Sequence, residues 1–218
     1  SGNPFLATKV HTDLKNRVTS SPQRLPGDVV ISSKINDLLS NEYAIIAAYY
    51  LSKNDQTKTY ENLKLSLDIN PNCYRALIVE SITSFSWEND PNKSLAIIKK
   101  CHGVMDPTWR YNEAFLRFWL EQYPSAWKQC EKIKKQNYSN ELIISKEVTQ
   151  FNETLLKTIS DKPALFFWLG FNYYYKQDNL PLALQSFESF ITSGGNPITL
   201  LSQKASSWLI DIKTKMKI

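Results

Sequence analysis

From Val29 onward, apolar residues recur at spacings of three and four, through Ile31, Ile35, Leu38 and Leu39 and then Ile45, Ile46, Tyr49 and Tyr50. That period marks amphipathic helix, and no long alternating β-branched run interrupts it anywhere in the chain. The pattern predicts an all-α fold. Residues 1–28 read differently. The cluster Ser20-Ser21-Pro22-Gln23-Arg24-Leu25-Pro26-Gly27 separates a short helix, predicted near 9–18, from everything after it. This stretch is expected to be an N-terminal arm, ordered only if it packs on the body.

Within the periodic region the unit is a helical hairpin. Tyr43, Ile46, Ala47 and Tyr50 share one face of a first helix, and small Ala47 lets a second helix approach closely. The turn "KNDQ" (53–56) ends that helix. Thr59, Leu63 and Ser66 mark one face of the returning helix, and Asn70-Pro71-Asn72 stops it, because proline lacks a backbone donor and biases its predecessor away from helix. The order large-apolar-small-aromatic, then small-apolar-small and a proline, resembles the tetratricopeptide repeat, a helix-turn-helix unit of about 34 residues.

The resemblance recurs. "YRALIVESITSFSW" is followed by "NDPNKSLAIIKKC", with Ser94, Ile98 and Cys101 at the second-helix places and Asp106-Pro107 closing the unit. "TWRYNEAFLRFWLEQY" carries Ala114 at the small position, and "PSAWKQCEKI" supplies Ala126, Cys130 and Ile133 after Pro124, a residue suited to a first helical turn. In "FFWLGFNYYYKQDNLPLALQSFESF", Leu169-Gly170-x-x-Tyr173 and then Ala183, Phe187 and Phe190 repeat the pattern. Here the two halves are one residue out of phase, which implies a longer turn, and Phe190 is larger than the customary small residue. The resemblance implies a right-handed α-solenoid of antiparallel helix pairs over 29–218, with repeats at about 41–72, 74–107, 108–136 and 163–196. Residues 29–40 are expected to form an accessory helix, 141–159 ("ELIISKEVTQFNETLLKTI") a spacer or packing helix, and 198–216 a capping helix over the last face.

Composition narrows the class without naming a partner. Of 218 residues, 42% are hydrophobic and only 6 are Gly, a folded rather than disordered balance. No run approaches the roughly 18 apolar residues needed to cross a bilayer. The net charge of +5 is interspersed, and its densest stretch, "KQCEKIKKQ" at 128–136, reads as a solvated helix face containing Glu131, so nucleic acid is disfavoured. Cys73, Cys101 and Cys130 are odd in number and lack a C-x-x-C pair, which points to buried free thiols and a reducing, cytoplasmic setting. The chain opens at Ser1, so an upstream signal or lipid anchor would change that reading.

Chemistry is sparse. His11 and His102 sit in no nucleophile, base and acid pattern, Gly194-Gly195 reads as an inter-helix turn rather than a phosphate cradle, and no H-E-x-x-H or carboxylate cluster has metal spacing. No catalytic residue, metal or cofactor is assigned.

In the tetratricopeptide family the first helices line a concave surface that holds an extended or helical peptide. By that resemblance the groove positions are Ala44, Ala48 and Leu51 in the first unit, Tyr111, Phe115, Phe118 and Trp119 in the third, and Phe167, Phe171, Tyr174 and Tyr175 in the fourth. The eight aromatics are the candidate partner-binding residues. Aromatics at helical spacing also fill cores, and that alternative stays open on the sequence. Ala44 and Ala48 stand where a subset of the family grips the carboxylate of heat-shock chaperone tails with charged side chains, so chaperone-tail binding is disfavoured. The expected role is a non-catalytic adaptor or scaffold for a protein or peptide. The alternatives are a structural or self-associating subunit, and a lipid-anchored envelope assembly factor.

Overall fold

The computed structural model describes residues 3–20, 26–105, 108–135, 162–195 and 197–218, and among these every regular element is a helix. The spacer helix expected at 141–159 lies outside the described residues. The chain divides into two compact units, Ser1–Val104 and Met105–Ile218.

The first unit contains α1 (Pro4–Ser20), α2 (Pro26–Ser52), α3 (Gln56–Ile69), α4 (Tyr74–Ser86) and α5 (Pro91–Lys99). The arm helix is longer than the stretch 9–18 and packs on α2. Phe5 meets Tyr49 and Tyr50 edge-on at 6.1 and 6.2 Å, and His11 Nδ1 lies 2.8 Å from Glu42 Oε1. The separate accessory helix expected at 29–40 is corrected: α2 runs unbroken to Ser52, because no Pro or Gly stands between Ile31 and Ser52 to stop it.

Helices α2 and α3 close on Ala44, Ala47 and Leu63, which join Cys73, Ala76 and Val79 of the next hairpin in one buried cluster. Burying the Leu63 side chain contributes about 1.5–3 kcal/mol. Close approach also brings hydroxyls within reach of facing backbone. Ser66 Oγ donates to the Ser40 carbonyl at 2.7 Å, while across α4 and α5 Ser94 Oγ donates to the Ser81 carbonyl at 2.7 Å and Ser81 Oγ to that of Ser94 at 3.1 Å. Serine at these places is small enough for contact and satisfies its own buried hydroxyl.

The second unit contains α6 (Thr108–Trp119), α7 (Tyr123–Lys135), α8 (Pro163–Tyr175), α9 (Leu180–Phe190), a π-helical turn (Ile191–Gly195) and α10 (Thr199–Met216). Its interior is aromatic, with Tyr111, Phe118, Phe167, Trp168, Phe171, Phe187 and Phe190 all fully buried. Two glycines make room for the largest rings. A Cβ on Gly170 would fall 2.6 Å from the Phe187 ring, and one on Gly195 would fall 2.3 Å from the Phe190 ring. The oversized Phe190 is thus accommodated by the turn that follows it. Helix α10 packs on α7, α8 and α9. An internal ion pair lies on one face of α6, where buried Glu113 receives Arg117 Nε and Nη2, each at 2.7 Å.

A left-handed residue recurs in the turn of each of these four hairpins, two positions before the second helix: Asn54 (φ 56°), Asn89 (φ 53°), Glu121 (φ 60°) and Asp178 (φ 49°). In three of the four the next residue is an Asp or Asn that caps the helix. Asp55 accepts from Lys58 N–H at 3.1 Å, Asp90 from Lys93 N–H at 2.8 Å and Asn179 from Leu182 N–H at 3.2 Å. Counting five, nine and twelve residues on from the left-handed position gives Thr59-Leu63-Ser66, Ser94-Ile98-Cys101, Ala126-Cys130-Ile133 and Ala183-Phe187-Phe190, and all twelve are buried, as their spacing predicts.

The turns come in two lengths. After the left-handed residue, the N–H of Asp55 bonds the Tyr50 carbonyl and that of Gln122 bonds Arg117, five residues back. Asp90 and Asn179 instead reach six residues back, to Ser84 and Tyr173. The longer turn expected in the fourth hairpin is therefore present, and the second hairpin shares it.

Candidate interaction surface

The structure divides the eight aromatic residues singled out in the sequence. Tyr111, Phe115, Phe118, Phe167 and Phe171 are buried and pack with other rings, so for these five the core reading replaces the groove reading. Phe118 lies 5.8 Å from both Phe167 and Trp168, and Trp168 stacks on Phe171 at 5.6 Å. Apolar faces this large leave water wherever a neighbour can cover them. Ala44 is also buried and Leu51 packs against its cluster, leaving Ala48 exposed among the three first-unit positions. Trp119, Tyr174 and Tyr175 remain half-buried.

The cover over α8 comes from α10. Trp208, projecting from the middle of that helix, is stacked by Phe167 at 5.6 Å and by Tyr174 at 6.0 Å, and its centroid lies 5.2 Å from Tyr175, 5.3 Å from Phe187 and 5.8 Å from Trp127 of α7. Helix α10 spans the residues expected to cap and packs on the last helix pair. It also covers the α8 rings assigned by sequence to a groove. Trp208 belongs to the apolar stripe visible in the sequence, but nothing local to residues 199–216 shows which rings it meets.

Charge surrounds this aromatic cluster. Lys204 Nζ sits 4.1 Å from the centroid of the Trp127 ring and Lys134 Nζ 4.5 Å from that of Tyr175. The Trp127 indole N–H donates to Glu131 Oε1 at 2.9 Å. Tyr174 donates its hydroxyl proton to Asp211 Oδ2 and accepts from Lys215 Nζ at 3.0 Å, while Lys215 also lies 2.8 Å from Asp211. Burial, followed by the hydrogen bond to Asp211, pushes the Tyr174 phenol above its usual range. Hydrogen bonds from Lys215 and then Tyr174 hold the Asp211 carboxyl low, and the same Asp211 holds the Lys215 ammonium protonated to higher pH. Tyr174 is therefore a fastened strut, whereas Tyr175 meets rings and a lysine among the described residues.

Trp119 sits apart from that cluster, 6.1 Å from Phe115 and with Lys162 Nζ 5.7 Å from its ring. Lysine 162 also reaches Glu121 at 3.4 Å.

Among the described residues, no three His, Cys, Asp or Glu side chains gather as a metal site. Cys73, Cys101 and Cys130 are free and buried, and burial raises the Cys130 thiol well above its ordinary value, which makes it a poor nucleophile. No helix among the described residues is long and apolar enough to cross a membrane.

No protein-family model matches this chain, and a search of curated proteins finds no match.

Proposed function

We propose that the chain is a non-catalytic protein interaction module, an adaptor or scaffold built as a tetratricopeptide-like right-handed solenoid that holds a peptide or helix of a partner. The observation that carries this reading is the fourfold return of one hairpin: the same left-handed turn residue, the same buried triplet after it, and Ala47, Ser81, Ala114 or Gly170 buried at the close-approach position before it. Stacked hairpins of this kind give extended surfaces suited to recognition, and fold alone leaves the partner open. Within this reading, Trp119 and Tyr175 are the aromatic contacts, since both keep exposed area at positions that the resemblance assigns to the groove.

The test is affinity capture with cross-linking from a lysate of the source organism, comparing wild type with Trp119→Ala/Tyr175→Ala after circular dichroism shows equal helix content. A partner held by the wild type and lost by the variant supports the adaptor. Capture of none by either protein sinks it.

A second reading, a structural subunit that self-associates, is favoured by α1. Its residues Leu6, Val10 and Leu14, four apart, form an outward stripe 63%, 55% and 44% exposed. Sedimentation of Leu6→Asp/Val10→Asp against wild type separates the two: a smaller species in the variant supports the subunit reading, and monomers in both reject it.

A further inference from the structure

We propose that the lysine-flanked aromatic cluster of the second unit, Lys134 over Tyr175 and Lys204 over Trp127 with both rings against Trp208, is a docking surface for an acidic linear segment of a partner protein. The proposal rests on the interaction-module reading and names the chemistry of its ligand.

Three observations carry it. The first is that each of the two ammonium groups is held against an aromatic ring. Each lies over an aromatic ring, at 4.5 and 4.1 Å from the centroid, and among the described residues neither pairs with a carboxylate. A cation over a ring keeps its full charge while losing some of its freedom, so less ordering remains to be done when an anion arrives. The second is that the charge on α7 is one-sided. Helix α7 carries Lys128, Lys132, Lys134 and Lys135, with Glu131 the one acidic residue of that helix and already bonded to Trp127. Lysines in the last turn of α7 complement the helix dipole, but Lys204 lies well inside α10 and gains nothing from that effect. The third is that the two lysines reach the cluster from helices distant in sequence, with Trp127 and Trp208 5.8 Å apart between them. A charge pattern assembled in this way sets two cations beside half-buried aromatic rings, which complements carboxylates interspersed with apolar side chains.

The same geometry argues against single-stranded nucleic acid. Base stacking needs an open ring face. Here Trp208 is stacked by Phe167 and by Tyr174, and the lysines themselves stand over Trp127 and Tyr175.

The experiment uses the full chain and a fluorescein-labelled peptide of alternating Glu and Leu, followed by anisotropy at low ionic strength. The comparison probes are the matching Gln and Leu peptide, oligothymidylate, and vesicles containing an anionic lipid. Expected results are binding of the Glu peptide but not the Gln peptide, and about tenfold weaker binding by Lys134→Gln/Lys204→Gln. Lys134→Arg/Lys204→Arg should restore it, and Lys99→Gln/Lys100→Gln, which removes equal charge from exposed positions of the first unit, should leave it unchanged. Equal weakening by the two Gln pairs would reduce the effect to net charge and overturn the proposal. So would absence of Glu-peptide binding, or tighter binding of oligothymidylate or anionic vesicles that is lost in Lys134→Gln/Lys204→Gln. If a partner captured by the wild type is lost in Trp119→Ala/Tyr175→Ala yet retained by Lys134→Gln/Lys204→Gln in the presence of competing Glu peptide, this proposal fails and the module reading survives.

Discussion

Replacing Gly170 with alanine tests the packing logic of the repeated hairpin. An alanine Cβ would lie 2.6, 2.7 and 2.9 Å from three carbons of the Phe187 ring, where unstrained carbon contacts are about 3.5–4.0 Å. The ring has nowhere to retreat: it is fully buried, with Phe167 at 5.8 Å and Trp208 at 5.3 Å. Overpacking of this kind costs about 1–3 kcal/mol. Alanine gains about 1 kcal/mol over glycine inside a helix, so the clash is opposed but not cancelled in most of that range. The second hairpin suggests the remedy, because Ser81 and Ile98 occupy the positions equivalent to Gly170 and Phe187. Phe187→Ile alone should leave a cavity and destabilise by less than the about 3–5 kcal/mol typical of Phe→Ala. The double variant Gly170→Ala/Phe187→Ile should be more stable than the sum of the singles predicts, with a coupling of about 0.5–3 kcal/mol. Urea denaturation followed by tryptophan fluorescence reads this directly, since Trp208 touches Phe187. If Gly170→Ala is as stable as the wild type, or the two changes simply add, the close-approach explanation for Gly170 is wrong.

Other outcomes follow from single sites. Arg117→Met removes the cation paired with the buried Glu113 carboxylate and should cost about 3–5 kcal/mol in urea denaturation, while Glu113→Leu/Arg117→Met should recover much of the loss. Glu121 is the one left-handed turn residue of the four that is neither Asn nor Asp, so Glu121→Asn should raise stability by up to about 1 kcal/mol, and a lower denaturation midpoint would refute the strain assigned to that turn. Glu88 accepts from Lys93 Nζ at 2.7 Å and from the Tyr60 hydroxyl at 3.2 Å, and the Lys93 bond holds its carboxyl below the ordinary 4.5. A depressed carboxyl stabilises the folded state above pH 4.5 and ceases to do so as the pH falls through its folded value, so melting curves of Glu88→Gln should lose less stability than wild type between pH 5 and the acid limit.

Much of the hairpin was legible in the sequence because its signals are local. A second helix one turn from a cap shows one face at a fixed offset, so Thr59, Leu63 and Ser66, and their counterparts through Phe190, could be placed before any packing was known. Asp55, Asp90 and Asn179 cap for the same local reason. The candidate contacts were legible only in part. Of the eight aromatics, Trp119, Tyr174 and Tyr175 kept exposed area, and the lysines of the acidic-segment proposal, Lys134 and Lys204, stand 70 positions apart in the chain. No spacing rule could have paired them.

Local patterning is enough to specify helix, where the hairpins turn and which face of each second helix is buried, since backbone preference and a 3.6-residue period act over a few residues. It did not determine the fate of the first-helix aromatics. Helix α8, "PALFFWLGFNYYY", is apolar on every side, so periodicity selects no inward face. Tertiary structure made that choice by bringing α10 across α8 and setting Trp208 against Phe167, Phe171, Tyr174 and Tyr175. Covering a ring depends on which distant helix can reach it, and that is a property of the folded chain as a whole.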